Sequence, residues 1–365
     1  MTDKILEEIV KPLLDWYDSG HRMLPWRENK NAYRIWVSEI MLQQTRVEAV
    51  KPYFARFMEK FPDIADLANA QDELLLKYWE GLGYYSRVRN MKKAAVMIMQ
   101  EYDGKMPDKR DELLKLPGIG SYTAGAIASI AFDRAVPAVD GNVLRILSRV
   151  RMDADNISEP AVKKRVEQEL TEIMPKDRPG DFNQAMMELG AVVCVPNGAA
   201  KCEQCPWSHL CRAKAQGRVT EYPVKEKKKE RKIELKTVLV IKDGETVAIH
   251  KRPPKGLLAG MYELPMLEGH LKEKEVIGRL KDIGLMPLRI EYLGEAKHIF
   301  THKEWHMIGY AVRVDELEKM AQNEQKLIFV KPQETQEHYP IPAAFGAFTA
   351  HINIKLGNEK FIGET

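Results

Sequence analysis

The fold of the first half of this chain is decided by the stretch Leu116-Pro117-Gly118-Ile119-Gly120, followed directly by Ser121-Tyr122-Thr123-Ala124-Gly125-Ala126. It lies between two segments with helical periodicity. Glycines at a helix entrance let the backbone approach an anion, which the free amides and the helix dipole then stabilise. A DNA phosphate suits such an entrance, because it is bound without reading the base sequence. The alternative is a plain turn between two helices, in which the glycines serve only the geometry.

A carboxylate follows this hairpin. The segment Ala138-Val139-Asp140-Gly141-Asn142-Val143-Leu144-Arg145 places Asp140 twenty residues after Gly120. The pairing of the two segments resembles the helix–hairpin–helix–Gly/Pro–Asp superfamily of DNA glycosylases. Lyase-type members of that superfamily carry a Schiff-base lysine two residues after the second hairpin glycine, where this chain has Tyr122. Because a tyrosine cannot form an imine, the resemblance implies a monofunctional glycosylase in which water completes the reaction.

Length, composition and charge limit the possible class of protein, the number of domains and the way in which nucleic acid could be bound. A chain of 365 residues that is 44% hydrophobic and 30% charged has the composition of an ordinary globular protein. Its length suffices for about two or three domains. The formal net charge is only +3, so nucleic-acid binding has to rely on local patches and backbone amides. A charged, amphipathic N-terminus and the lack of an apolar run of about 18 residues predict a cytoplasmic protein. The resemblance to DNA glycosylases implies that it is associated with the nucleoid.

The periodicity predicts a multidomain protein with two domains of different class. From about Leu6 to Ala215, amphipathic helices alternate with proline-marked loops, which predicts an all-α region over residues 1–218. Residues 219–235 are expected to form an exposed basic linker. Two β-rich runs, Thr237–Ile241 and Thr246–His250, flank Asp243-Gly244 and predict a hairpin. Residues 236–365 are therefore expected to form an α+β domain.

All four cysteines fall in one window with the spacing C-x7-C-x2-C-x5-C; they are Cys194, Cys202, Cys205 and Cys211. In a reducing cytosol this grouping favours metal or cluster ligation over disulfides. Zinc and a [4Fe-4S] cluster both accept four thiolates. Zinc modules often contain two CxxC pairs and this chain has one, which favours an iron–sulfur cluster, but the spacing alone leaves both possibilities open. A four-cysteine loop at this distance from the aspartate resembles the endonuclease III and MutY branches of the superfamily. That resemblance implies a [4Fe-4S] cluster held by residues 194–211.

Three motifs in the first half resemble the MutY family of adenine DNA glycosylases: Leu24-Pro25-Trp26-Arg27, the run WVSEIMLQQTRV at 36–47, and GLGYYSR at 81–87. The resemblance implies that Glu39 is a general acid that protonates adenine at N7, which requires a pKa raised by a dry environment. It also implies that Asp140 stays ionised and stabilises the oxocarbenium-like sugar. Tyr122 and Asn142 would position the reacting groups.

The same resemblance assigns residues that bind DNA, because adenine has to be flipped out of the duplex. The residues assigned to the adenine pocket are Trp26, Arg27, Tyr122 and Gln184. Those assigned to DNA contact are Gln44, Thr45, Leu82, Gly83, Tyr84, Gly118 and Gly120. For Trp26 and Leu82 a structural role is the alternative, because such side chains usually lie in the core. The implied partner of the monomer is duplex DNA with an 8-oxoguanine:adenine or guanine:adenine mispair.

The stretch GLLAGMYELP at 256–265 resembles the start of the Nudix-like C-terminal domain of MutY proteins. A working Nudix hydrolase continues with an acidic, magnesium-binding helix, of which only Gly284 and Leu285 remain, so hydrolysis there is not expected. Phe300, Thr301 and His302 resemble the loop that recognises 8-oxoguanine, with threonine in place of serine. The alternatives are an endonuclease III-like glycosylase/lyase for oxidised pyrimidines, a non-catalytic iron–sulfur DNA-binding protein and a Nudix nucleotide hydrolase.

Overall fold

A computed structural model describes residues 4–196, 198–226, 230–314 and 327–357. Three residues of the predicted basic linker, Lys227, Lys228 and Lys229, lie outside the described residues. Part of the predicted second domain, residues 315–326 and 358–365, also lies outside them. Every helix in the described ranges is too short or too polar to cross a membrane.

The chain divides into two compact units. The helical unit comprises Met1–Asn69 and Arg89–Lys228, and the sheet unit comprises Ala70–Val88 and Lys229–Thr365. The sequence places residues 70–88 inside the all-α region, whereas the structure groups them with the C-terminal domain.

Sixteen α-helices lie within the described residues: α1 (Lys4–Glu8), α2 (Val10–Gly20), α3 (Ala32–Leu42), α4 (Val47–Lys60), α5 (Ile64–Asn69), α6 (Asp72–Trp79), α7 (Ser86–Glu101), α8 (Arg110–Leu113), α9 (Ser121–Phe132), α10 (Gly141–Arg151), α11 (Pro160–Ile173), α12 (Pro179–Val192), α13 (Arg212–Ala215), α14 (Glu273–Asp282), α15 (Pro332–Glu337) and α16 (Gly346–Thr349). The strands are β1 (Lys232–Asp243), β2 (Thr246–Lys251), β3 (Tyr262–Glu263), β4 (Met266–Glu268), β5 (Pro287–Ile299), β6 (Lys303–Val314) and β7 (Ile328–Val330).

The core of the helical unit is built around α10, the helix that follows Asp140. Its apolar side chains pack against those of α2 and α12 and against Trp207 from the cysteine loop. The segment that leads to Asp140 passes very close to α9, because a Cβ added to Gly125 would lie 2.2 Å from the carbonyl oxygen of Pro137. Only glycine permits this approach, which brings the hairpin helix beside the aspartate.

The sheet unit contains one sheet with the strand order β3-β2-β1-β6-β5, in which β4 also pairs with β1 and β7 with β2. Strand β1 runs parallel to β6, and the other pairs are antiparallel. Because successive side chains of a strand point to opposite faces, Val238 and Val240 enter one apolar core while Leu239 and Ile241 enter another. The C-terminal helices cover the first face and α14 covers the second.

The predicted hairpin is confirmed, since β1 and β2 pair antiparallel around Gly244, whose φ is 54°. Strand β1 begins at Lys232, earlier than residue 236, where the sequence places the start of the second domain. The reason is the parallel ladder with β6, which already pairs Lys232 with Lys303.

Candidate active site and cysteine cavity

The hairpin presents its two glycines to solvent. Leu116 and Ile119 are buried and anchor the turn, whereas Gly118 and Gly120 are exposed. Gly118 has a φ of 81°, a left-handed conformation that favours glycine. Gly120 precedes the first turn of α9, and an added Cβ there would meet nothing within 4 Å. Both predicted phosphate-binding positions are therefore accessible at a helix entrance.

Glu39 lies on the buried face of α3 and is 6% exposed. Tyr122, from the first turn of α9, donates its hydroxyl to Oε2 of Glu39 at 2.6 Å. Burial raises the pKa of Glu39 to about 7; the hydrogen bond from Tyr122 opposes this rise and the charge of Asp140 adds to it. A carboxyl group with this pKa is protonated in about half of the molecules at neutral pH, so it can act as an acid.

Asp140 is the N-cap of α10 and has a different environment. Its Oδ1 accepts hydrogen bonds from the backbone amides of Asn142 and Val143, each at 2.8 Å, and its Oδ2 accepts one from Nδ2 of Asn142 at 2.7 Å. Burial raises the pKa of Asp140, and these three donors oppose the rise because they stabilise the carboxylate. Both carboxyl groups are thus desolvated, but only Asp140 is held by several N–H groups.

Asn142 connects this carboxylate to the cysteine loop. Its Oδ1 accepts a hydrogen bond from Nη2 of Arg145 at 2.9 Å, and Nε of Arg145 donates to the carbonyl oxygen of Cys194 at 3.0 Å. Asp140 and Asn142, two of the predicted catalytic residues, are therefore joined to the backbone of the first cysteine by one chain of hydrogen bonds through Arg145.

Two of the predicted adenine-binding residues, Arg27 and Gln184, line one cavity of about 190 Å³ in the helical unit. Trp26 does not line it; its ring is buried and meets Phe54 edge-on at 5.4 Å, so packing fixes its position. Sequence reasoning missed Glu188, whose side chain is 2% exposed and accepts hydrogen bonds from Arg22 at 2.6 Å and Arg27 at 2.9 Å. The available signal was its position four residues after Gln184, on the same face of α12.

The predicted DNA-contacting residues lie in two segments, residues 44–45 and residues 82–84, and they differ in solvent exposure. In the helical unit, Gln44 is exposed with a φ of 61°, and Thr45 is partly buried. In the sheet unit, Tyr84 is 50% exposed with a φ of 48°, and Gly83 has a φ of 70°. Leu82 is buried instead and packs inside the protein.

The predicted recognition loop lies between β5 and β6 in the sheet unit. The ring of Phe300 packs edge-on against His298 at 4.6 Å and against Trp305 at 4.8 Å, whereas Thr301 and His302 are exposed. The hydroxyl of Thr301 donates to the hydroxyl of Tyr84 at 3.3 Å. Two motifs that lie far apart in the sequence therefore meet at one surface.

The four cysteines line one small cavity of about 20 Å³ in the helical unit, with Trp207 as an apolar wall and Arg149 and Lys214 as basic neighbours. Nη1 of Arg149 donates to Sγ of Cys194 at 3.2 Å. Burial raises the pKa of Cys205 to about 12 and also raises that of Cys211. In the described ranges, no three His, Cys, Asp or Glu side chains converge tightly enough to hold a single metal ion.

Comparison with known proteins gives the same picture. Residues 37–176 match the family described as HhH-GPD superfamily base excision DNA repair protein, and residues 237–351 match the NUDIX domain. The chain is 37% identical over 363 residues to the adenine DNA glycosylase of Mus musculus, which covers 83% of this chain and 70% of that protein. It is 32% identical over 343 residues to the adenine DNA glycosylase of Buchnera aphidicola subsp. Acyrthosiphon pisum (strain APS), which covers 94% and 96%.

A solved structure of a thermostable thymine-DNA glycosylase superposes on 58% of this chain and 98% of its own, with 27% identity and a TM-score of 0.53. Hairpin, aspartate and Nudix-like domain together define a multidomain base-excision DNA glycosylase, which confirms the predicted fold class. The chain belongs to the family of MutY-type adenine DNA glycosylases.

Proposed function

We propose that this glycosylase removes adenine mispaired with 8-oxoguanine or guanine in duplex DNA, with Glu39 as general acid and Asp140 as the stabiliser of the sugar cation. The observation that carries the proposal is the buried Glu39 carboxyl, which has a pKa of about 7 and a hydrogen bond from Tyr122. Two carboxyl groups in environments that differ in this way divide the acid role and the anion role between them. Single-turnover release of adenine from duplexes with 8-oxoguanine, guanine or thymine opposite tests the substrate.

The chemistry follows from these contacts. The proton of Glu39 moves to N7 of adenine, and the glycosidic bond then breaks with its electron pair on the base. The carboxylate of Asp140, held in place by Asn142, stabilises the cation that develops on the sugar. Water adds to the sugar carbon and releases a proton. Tyr122 orients Glu39. Because a tyrosine has no amine to form an imine with the sugar, water remains the nucleophile.

Arg27 and Gln184 suit the recognition of a flipped base. The amide of Gln184 offers a donor and an acceptor to the edge of adenine. Arg27 shares the buried carboxylate of Glu188 with Arg22, which offsets part of its charge inside the pocket. Trp26 supports the pocket from the core by its contact with Phe54.

Thr301 and His302 carry the recognition of the opposite base in this proposal. Both are exposed, and the ring of Phe300 anchors their loop to Trp305. Tyr84 presents its half-exposed ring beside the Thr301 hydroxyl, which places a stacking surface next to a hydrogen-bonding group. This combination suits a modified purine that has to be told apart from guanine.

Replacement Thr301→Val removes a hydroxyl and keeps the shape, so we expect the preference for 8-oxoguanine over guanine to fall about tenfold, the scale of one lost polar contact. The measurement is the ratio of single-turnover adenine release opposite the two bases. Thr171→Val is a matched control, because that hydroxyl bonds only locally on an exposed face of α11. An unchanged ratio in Thr301→Val would remove this residue from recognition.

The cysteine cavity fits the [4Fe-4S] cluster that we propose for it. All four cysteines line one space, and a set of four thiolates is the donor set that such clusters use. Arg149 and Lys214 line the same space and would offset the negative charge of the ligated cluster. The cluster would tie the loop of Cys194, Cys202, Cys205 and Cys211 together when bound.

Protein purified without oxygen is expected to contain about four irons per chain. Cys202→Ala should lose this iron and bind duplex DNA more weakly, because the loop loses one of its ties. Ser208→Ala is the control: Ser208 lines the cavity and accepts a hydrogen bond from Lys214, yet it is no ligand in this assignment. Metal analysis that finds stoichiometric zinc and no iron would contradict the cluster.

A further inference from the structure

The turn that carries Tyr84 is attached to the sheet unit by a buried charge. Helix α6 and the turn after it belong to the sheet unit, although the rest of the first half of the chain forms the helical unit. Lys77 of α6 is 8% exposed and Glu80, which ends this helix, is 2% exposed. Their side chains form an ion pair at 2.8 Å.

The ammonium group of Lys77 also reaches the C-terminal part of the chain. It donates to the carbonyl oxygen of Thr335 in α15 and to that of Tyr339 at 3.2 Å. A lysine has three N–H donors, and here they meet one carboxylate and two carbonyls. A buried charge with a complete set of partners fixes position strongly, because any displacement would leave it without them.

The turn after Glu80 is itself held firmly. Nε1 of Trp79 donates to the carbonyl oxygen of Gly83 at 3.0 Å, and Nη2 of Arg87 donates to those of Leu82 and Gly83 at 3.1 and 3.2 Å. The guanidinium of Arg87 lies 5.3 Å from the centre of the Tyr84 ring. The position of Lys77 thus fixes, through this hydrogen-bonded turn, the position of Tyr84, whose hydroxyl accepts a hydrogen bond from Thr301.

We propose that Lys77 and Glu80 are positioning residues for recognition of the opposite base. Together they form a clamp that holds the turn of Tyr84 in register with the loop of Thr301. The turn and the loop then recognise 8-oxoguanine together. This role rests on the proposed recognition function of that loop. The candidate catalytic groups Glu39 and Asp140 belong to the helical unit, so loss of the clamp affects preference more than chemistry.

The test uses the full-length double variant Lys77→Met with Glu80→Gln, which keeps both volumes and leaves no unpaired buried charge. We expect the ratio of adenine release opposite 8-oxoguanine to that opposite guanine to fall about tenfold. Hydrogen exchange at residues 81–84 should become faster, a change that a purely global loss of stability would not confine to this turn. Lys77→Arg keeps donors for the carboxylate and carbonyls and should restore most of the ratio.

Lys242→Met is the control, because the ammonium of Lys242 also donates to a carbonyl of the sheet unit, that of His351 at 3.3 Å, but from an exposed site. If the wild-type protein prefers 8-oxoguanine and the double variant shows the same excision ratio and the same hydrogen exchange at residues 81–84, the proposed clamp is wrong but the recognition function stands. Wild-type protein without any preference would overturn the recognition function and the clamp with it.

Discussion

Glu39→Gln is expected to lower the single-turnover rate of adenine release by at least about 100-fold, the scale of general acid catalysis. Glutamine keeps the length of the side chain and an oxygen that accepts the hydrogen bond from Tyr122, but it has no acidic proton to donate. Affinity for the mispaired duplex should be retained, because the change removes an interaction of the transition state rather than of bound DNA. Rates at saturating enzyme and binding isotherms on the same duplex measure the two effects separately.

Glu48→Gln provides the matched control. Glu48 lies on α4 with a largely exposed side chain and forms a surface ion pair with Lys51, which contributes little to stability. Its replacement should leave the excision rate near that of the wild type. A Glu39→Gln protein that released adenine at a nearly normal rate would show that the proton comes from another group.

Local sequence patterns predicted the parts of this fold that local contacts determine. The Asp243-Gly244 pair predicted the hairpin of β1 and β2 because a tight turn depends on a residue that tolerates a positive φ, here Gly244. The glycines of the first hairpin were informative for a similar reason, since Gly118 adopts a φ of 81°. In both places the required conformation restricts the residue type, so the residue type reveals the conformation.

The grouping of residues 70–88 with the C-terminal strands could not be predicted in this way. This grouping depends on hydrogen bonds of single side chains to distant partners. Lys251 and Glu73 are 178 residues apart in the sequence, and Lys77 and Thr335 are 258 residues apart. A lysine that bonds a distant carbonyl leaves no periodicity and no motif. Leu82 shows the complementary case, in which a recognisable motif contains an apolar residue that packs inside the protein.

The candidate site was predictable where it resembles a family and incomplete where it depends on packing. Glu39, Tyr122 and Asp140 are assigned by motifs, and the structure brings the first two into a hydrogen bond of 2.6 Å. Glu188 was missed because its partners Arg22 and Arg27 lie 166 and 161 residues earlier in the chain. Its burial and its ion pair with Arg27, rather than its neighbours in sequence, identify it as the partner of a residue that lines the pocket.

The excision rate should depend steeply on pH, because Glu39 acts only when it is protonated. With a pKa of about 7 for Glu39, the protonated fraction falls about 90-fold between pH 6 and pH 9, and the rate constant should fall with it. The sign follows from the role: an acid catalyst loses activity as pH rises through its pKa. Asp140 must be ionised, so its raised pKa predicts a second decline on the acidic side. Second-order rates at low DNA concentration report the free protein, whose groups these are.

Tyr122→Phe separates this explanation from a general effect of pH on DNA binding. The hydrogen bond from Tyr122 lowers the pKa of Glu39, so its removal should raise that pKa and move the alkaline decline to higher pH, whatever happens to the maximal rate. Loss of phosphate contacts at high pH would instead leave the decline at the same pH in both proteins. Desolvation of Glu39 and the hydrogen bond from Tyr122 fix the direction in which the pKa of Glu39 moves. A rate profile that is flat between pH 6 and pH 9, or one that moves to lower pH in Tyr122→Phe, would therefore mean that another group donates the proton.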